Sequence, residues 1–237
     1  MARILGLDIE STGLDCKVDR IIEVGCCLWD WENKIPLALY SSLVIPERDI
    51  PEEITALTGI TKEHINEFGW PESTVLESVA ELLTKADYIM AHNAPFDKGF
   101  IDAAAERQGM APWLERPWLD SAMDIVFPKD IQTRRLNYLA AEAGFVNPWK
   151  HRAIFDVMTM LKLASAYDLD AIVARAKEAT LYVQAVVSFD EKEKAKELGF
   201  KWFAPDKIWW RSYKTSDLEE AKPKFGFNTR LLAGPLE

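Results

Sequence analysis

The chain is 237 residues long and 49% hydrophobic, enough for one ordinary domain plus a smaller one, and it carries a formal charge of −10. Phosphate binding draws on Lys and Arg, so this charge excludes a broad basic coat for nucleic acid and leaves room only for a site that meets a strand end. No stretch approaches the roughly 20 apolar residues of a membrane span and no signal-peptide pattern opens the chain, so the expectation is a globular cytoplasmic protein with no membrane partner.

Three strand-like runs come first: residues 3–9, "RIIEVGCCLWDWE" (Arg20 to Glu32) and "LALYSSLVIP" (Leu37 to Pro46). They are rich in Ile, Val, Leu and aromatics and are separated by turn residues, which predicts an antiparallel meander. Pro51 suits a first helical position and Thr61 an N-cap, so two short helices should follow. Beyond Pro71, Val75, Leu76, Val79, Leu82 and Leu83 have helical spacing. "DYIMAHN" reads as a buried strand, Phe96 to Arg107 as a helix, "RPWLDSAM" as a fifth strand, and Leu136 to Ala143 and Ala153 to Tyr167 as helices. Three strands followed by alternating helix and strand predict an α/β fold, a mixed sheet flanked by helices. Cys16, Cys26 and Cys27 are odd in number and have no zinc spacing, so reduced thiols are expected.

The texture changes near Glu178 to Leu181. Residues 1–178 hold 18 Lys and Arg against 29 acids, and residues 179–237 hold 10 against 9, so the acidity belongs to the first part. The sequence therefore divides into domains 1–178 and 179–237. In the second, "LYVQAVVSF" is strand-like, "DEKEKAKELGF" is a helix ending at Gly199, "KWFAPDKIWWRSY" is a hairpin and "TSDLEEAK" is a helix, a small α+β unit. The last residues read as a poorly ordered tail.

Asp8 and Glu10 end the first strand. Two residues apart on a strand, they project from the same face about 6.6 Å apart at roughly 3.3 Å per residue, an arrangement that is costly without a cation. Taken alone, such a pair is ordinarily a solvated strand end. In "YIMAHNAPFDKGF", Asp97 falls in the first turn of a helix, where the macrodipole favours an anion. In "HRAIFDVMTML", His151 precedes Asp156 by five residues; on one helix the two would lie about 140° and about 7.5 Å apart. His151 is therefore expected in the entering loop, with Asp156 on the helix and both facing one pocket.

Together "DIESTG", "HNAPFD" and "HRAIFD" resemble, in order and interval, the three motifs of the DEDDh 3′ to 5′ exonucleases, the family of proofreading subunits, RNase T and oligoribonuclease, with an RNase H-like fold. "LTGIT" (Leu57 to Thr61) is similar to a segment that this family carries between its first two motifs, and the likeness covers about residues 3–170. The resemblance implies a two-metal hydrolysis of phosphodiesters, with magnesium or manganese ions roughly 3.5 to 4 Å apart. By that resemblance Asp8 bridges the metals, Glu10 and Asp156 are further ligands, and Asp97 acts directly or through water. His151 would be the general base, a task that suits an imidazole near neutral pH. The backbone of Ser11 and Thr12 would hold the terminal nucleotide, Leu14 would meet its base, and Gly13 would let the chain pass close to substrate. Phe96 and Phe155 are expected to pack beneath the acids, with His92 and Asn93 supporting the second-motif loop.

Lys201, Lys207, Arg211 and Lys214 interleave with Trp202, Phe203, Trp209, Trp210 and Tyr213, the mixture that stacks bases and pairs phosphates. Such aromatics also make the core of a very small domain. The segment resembles an accessory domain attached to assorted DNA-handling proteins. "QAVVSF" (Gln184 to Phe189) has the outline of a sliding-clamp-binding peptide, although its alternation reads better as a strand. The expected function is 3′ to 5′ hydrolysis of DNA ends, single-stranded preferred, releasing nucleoside 5′-monophosphates, with a replication or repair protein as partner. An RNA-trimming enzyme is the alternative, and a catalytically dead scaffold that binds a replication partner is the alternative of another class.

Overall fold

A computed structural model describes residues 1–110 and 116–234, with the Phe189 side chain outside the described set. Its contacts divide the chain into two compact units, Met1–Ala176 and Lys177–Glu237. In the first, β1 (Arg3–Ser11), β2 (Ile21–Asp30) and β3 (Ile35–Leu43) form the expected antiparallel meander. Three helices follow, α1 (Glu52–Thr58), α2 (Lys62–Phe68) and α3 (Glu72–Leu83). Thr61 caps α2, its hydroxyl accepting from the His64 N–H while His64 Nδ1 accepts the Thr61 N–H. Then come β4 (Tyr88–Ala91), α4 (Ala94–Arg107), β5 (Trp118–Asp120), α5 (Leu136–Glu142), α6 (Ala153–Ala164) and α7 (Leu169–Ala176). The sheet order is β3-β2-β1-β4-β5, with β4 parallel to both β1 and β5. It is the mixed five-stranded, helix-flanked sheet of an RNase H-like fold.

The strand period of two sorts β1 onto two cores. Leu5, Leu7 and Ile9 pack with Leu76, Val79 and Leu83 of α3 and Phe100 and Ile101 of α4. Ile4, on the other face, shares a core with Cys27, Trp29 and Met90 and with Val157, Met160 and Leu161 of α6. Every residue of β2 is buried, as a strand covered on both faces requires.

Two glycines set how close α6 comes. A Cβ on Gly6 would lie 2.6 Å from Leu161 Cδ1, and one on Gly25 would lie 2.3 Å from the Ile154 backbone nitrogen. Gly25 is the cross-strand partner of Asp8, so the first turn of α6 lies against the sheet beside that acid.

The second unit contains β6 (Thr180–Val186), α8 (Lys192–Glu197), β7 (Lys201–Phe203), β8 (Ile208–Lys214), α9 (Thr215–Ala221) and β9 (Asn228–Leu232). Its sheet runs β7-β8-β6-β9, antiparallel throughout. One face carries the core: Val183, Ala185, Ala195, Phe200 and Tyr213, packed by Trp209, Leu218, Phe225 and Phe227.

Three expectations need correction. The C-terminal segment is not a loose tail, because Asn228–Leu232 pairs along β6 as its outer neighbour. The helix α7 was not anticipated, although Asp168 caps it by accepting the Ala171 N–H at 3.1 Å. Phe155 does not pack beneath the acids; it is 38% exposed and stacks on Trp149 with ring centroids 4.7 Å apart, whereas Phe96 does lie against the core.

Candidate active site

The loop after β1 is organised by one carboxylate. Asp19 accepts the Thr12 hydroxyl at 3.1 Å, the Asp15 N–H at 3.0 Å and Arg48 Nη1 at 2.9 Å. A Cβ on Gly13 would lie 2.4 Å from Asp19 Oδ2, so glycine is needed there to admit that side chain. Thr12 is buried, and its N–H donates to the Arg20 carbonyl at 2.8 Å. The Ser11 hydroxyl donates to the Gly13 carbonyl at 2.6 Å. Thr12 is thus engaged inside the loop, while Leu14, 87% exposed, is the open side chain of the four.

Asp8 and Glu10 point from β1 toward α6, with Glu23 across the strand pair from Glu10. Burying Glu23 beside another acid requires a counter-charge. Arg152 supplies it, with Nη2 at 3.0 Å and Nε at 3.2 Å from the Glu23 carboxylate, and the Ala153 N–H adds a bond of 3.0 Å. This pair pins the start of α6 to β2.

His151 lies in the entering loop, with a left-handed backbone (φ 61°) that is sterically disfavoured for a residue with a side chain. The turn lets its N–H donate to Asp156 Oδ2 at 2.7 Å. Asn147 Nδ2 donates to the other oxygen, Oδ1, at 2.8 Å. Both oxygens of Asp156 are thereby oriented. Glu10, His151 and Asp156 each offer a ligand atom, all within 4.8 Å of one another.

Asp97 lies in the first turn of α4, buried, and accepts the Ile9 N–H at 3.1 Å, which ties α4 to the end of β1. Asn93 enters α4 through a left-handed residue (φ 78°) whose N–H donates to Asp120 at 3.1 Å. His92 Nε2 is 2.7 Å from the Arg134 carbonyl and Nδ1 is 2.8 Å from the Ser121 hydroxyl. Burial lowers the His92 pKa, opposed by the Arg134 carbonyl, and the ring bridges that carbonyl and the Ser121 hydroxyl, which itself donates to the Ala91 carbonyl at 3.2 Å.

Charge is concentrated to an unfavourable degree. Burial raises the Asp8 carboxyl well above the ordinary range, and Asp97, Glu10, Asp156 and Glu23 push it further. Glu10 is pushed up to about 8 by burial, then by Asp156 and Glu23, with Arg152 opposing. Burial raises Asp97 and Asp156 too, against the hydrogen bonds that each accepts. Four carboxylates that resist ionisation and converge at one strand end, with an imidazole beside them, fit a hard divalent cation, which would restore their charged forms.

Comparison with known proteins agrees. A family model described as Exonuclease, of the RNase T type, matches residues 5–164. The chain belongs to the DEDDh exonuclease family. A PolC-type DNA polymerase III of Clostridium perfringens is 35% identical over 153 residues, covering 63% of this chain and 10% of that protein. The DNA polymerase III subunit epsilon of Treponema pallidum is 31% identical over 158 residues, covering 66% of this chain and 72% of that one. Among solved structures, the zinc-bound complex of E. coli exonuclease I with single-stranded DNA superposes with a TM-score of 0.64 at 17% identity, over 78% of this chain and 48% of that one. That likeness shows the fold.

Sequence reasoning missed what holds this DEDDh site together. Glu23 and Arg152 are 129 positions apart and meet only through the sheet. Asn147 and Asp120 carried no pattern of their own. In the second unit the basic and aromatic candidates separate. Trp202 and Trp209 pair across the hairpin with centroids 5.6 Å apart, and Lys207 sits at its turn. Trp210 faces the other way beside Tyr182, and Lys201 is its cross-strand partner. Arg211 donates to the Leu198 carbonyl and lies 4.8 Å over the Tyr213 ring, so it is engaged inside the unit. Lys214 is buried at the end of β8. Gln184 to Val186 belong to β6, Gln184 and Ala185 paired on both sides and Val186 with Asn228 of β9. Among the described residues, no helix is long and apolar enough to cross a membrane.

Proposed function

We propose that the protein is a divalent-metal-dependent exonuclease that hydrolyses DNA from the 3′ end, prefers single strands and releases nucleoside 5′-monophosphates. The observation that carries this reading is the meeting of Glu10, His151 and Asp156 within 4.8 Å at the end of β1, with Asp8 and Asp97 in the same electrostatic cluster. DNA is favoured because the two relatives described are DNA polymerase III proteins and the structural neighbour was solved with single-stranded DNA. The same relatives favour a replication protein as partner and a cytoplasmic location.

Asp8, Glu10, Asp97 and Asp156 would hold two magnesium or manganese ions, which supply Lewis-acid polarisation of the phosphate and activation of water. His151 takes the proton from the attacking water at a ring nitrogen. Its left-handed backbone places that ring and Asp156 on one side of the loop. The exposed Leu14 and the exposed pair Trp149 and Phe155 offer apolar surfaces for the terminal bases. Glu23 and Arg152 keep α6, and with it Asp156, in register with Glu10. A net charge of −10 restricts the grip to a few nucleotides.

The test compares 3′-labelled single-stranded DNA, duplex DNA and RNA with magnesium and with chelator, and identifies the product by chromatography. Metal-dependent release of nucleoside 5′-monophosphate, fastest from single-stranded DNA, is expected. Faster release from RNA would move the assignment to RNA trimming, and intact substrates throughout would leave a binding scaffold.

A further inference from the structure

The second unit holds a cavity of about 730 Å³ that the exonuclease chemistry does not use. Its walls are Trp202 and Trp209 from the hairpin, Val186 and Ile208 from β6 and β8, and the face of α8 that carries Lys192 and Lys196, with Lys207 at the hairpin turn. The two indoles are tilted at 54°, and Trp202 is 50% exposed, so one broad aromatic face is open to a ligand. Lys192 and Lys196 are one helical turn apart, about 6 Å along the axis, and Lys207 lines the same cavity from the hairpin turn. The lining includes one acid, Glu193, whose pairing with Lys196 at 3.7 Å is solvated and yields readily to a phosphate.

We infer that this cavity binds single-stranded nucleic acid, a base stacking on Trp202 and Trp209 while Lys196 and Lys207 contact the flanking phosphates. The chemistry selects that occupant. An indole face accepts any base, and lysines at the rim accept successive phosphates without fixing a sequence. The local charge makes the choice sharper: the cavity lining has three lysines and one acid, whereas residues 179–237 as a whole hold 10 Lys and Arg against 9 acids. The open face of the sheet is a poorer candidate, because its aromatics Tyr182 and Trp210 lie against each other with ring centroids 6.2 Å apart. This inference concerns binding and stands apart from the hydrolysis proposed for the first unit.

The experiment measures fluorescence anisotropy of a labelled oligothymidylate on the full chain, with chelator present so that no substrate is consumed. The variants are Trp202→Ala, Trp202→Phe, Lys196→Glu with Lys207→Glu, and Trp210→Ala on the opposite face. Affinity is expected to fall about tenfold with Trp202→Ala, as loss of one stacked base implies, and to recover in part with Trp202→Phe. The charge reversal should reduce the slope of log K against log salt by about 1.4, roughly 0.7 per phosphate. Trp210→Ala should bind as the parent does. Unchanged affinity and salt slope in the Trp202 and lysine variants, or an equal loss in Trp210→Ala, would overturn the inference, whatever the outcome of the hydrolysis assay.

Discussion

The two units solve the problem of placing polar chemistry on a sheet in opposite ways. The first covers both faces of its sheet and uses the protection to bury charge: Glu23, Asp30, Asp97, Asp120 and Asp124 are all buried there. The second covers one face, and among the described residues it buries no carboxylate. Lys196 and Lys207 stay exposed at the rim of a cavity, and the unit's aromatics serve partly as core. A site that must hold divalent cations needs ligands that repel one another, and only a large, two-faced core can force them together. A surface that meets a flexible strand needs no such force.

Replacing a proposed ligand breaks the comparison most directly. Asp8→Asn should lower the rate of hydrolysis by a factor of about a thousand or more, since the proposed mechanism needs that charge beside the reacting groups. The metal-free melting temperature should hold or rise, because the variant relieves repulsion. A fall in melting temperature would mean that Asp8 is structural.

Arg152→Ala comes next. It leaves Glu23 buried beside Glu10 without a counter-charge, which costs about 3 to 5 kcal/mol for a fully enclosed pair and about 1 to 3 kcal/mol here, where Arg152 is partly exposed and the Ala153 N–H bond remains. Glu23→Gln added to it should recover part of the loss, and denaturant unfolding measures both. Gly25→Ala should cost about 1 to 3 kcal/mol and reduce activity, because the new methyl meets backbone atoms of α6 rather than a side chain that could turn away. Retained stability and rate in that variant would show that α6 sits less tightly than described.

A pH series separates the units more finely. Glu10 is pushed up to about 8 from an ordinary value of 4.5, so the folded state binds its proton more tightly than the unfolded state does. Stability from this group is therefore complete below about pH 4.5 and lost as pH rises toward 8. Without metal the first unit should melt at lower temperature at pH 8 than at pH 5, and magnesium should reverse the loss at pH 8. Hydrogen exchange should place that gain in β1 and α6 and leave β6 and β8 unchanged. The smallest effect is expected from Trp149→Ala, a few-fold rise in KM with kcat little altered, as the pair with Phe155 contributes an exposed apolar surface.

Much of the first unit was legible because its signals are local. The meander follows from three β-rich runs with turns between them, and Asp8, Glu10, Asp97, His151 and Asp156 sit in short motifs whose order identifies them. The helix α7 is also legible, with Leu169, Ile172, Val173 and Ala176 at helical spacing behind Asp168, but it is only eight residues long and abuts the change in texture near residue 178. Glu23 with Arg152, and β9 with β6, could not be read: each is fixed by a partner that only the folded sheet brings near. The aromatic run of the hairpin showed the residue types but not their sides, since Trp209 and Trp210 are adjacent in sequence and face opposite ways.

The most direct test of the central claim follows 5′-labelled single-stranded DNA over time with the full chain, magnesium and either the native sequence or Asp8→Asn. The expected result is a ladder shortening one nucleotide at a time from the 3′ end, absent with chelator and absent in the variant. Release of the label as a mononucleotide, a ladder that persists in chelator, or equal activity in Asp8→Asn would contradict the account.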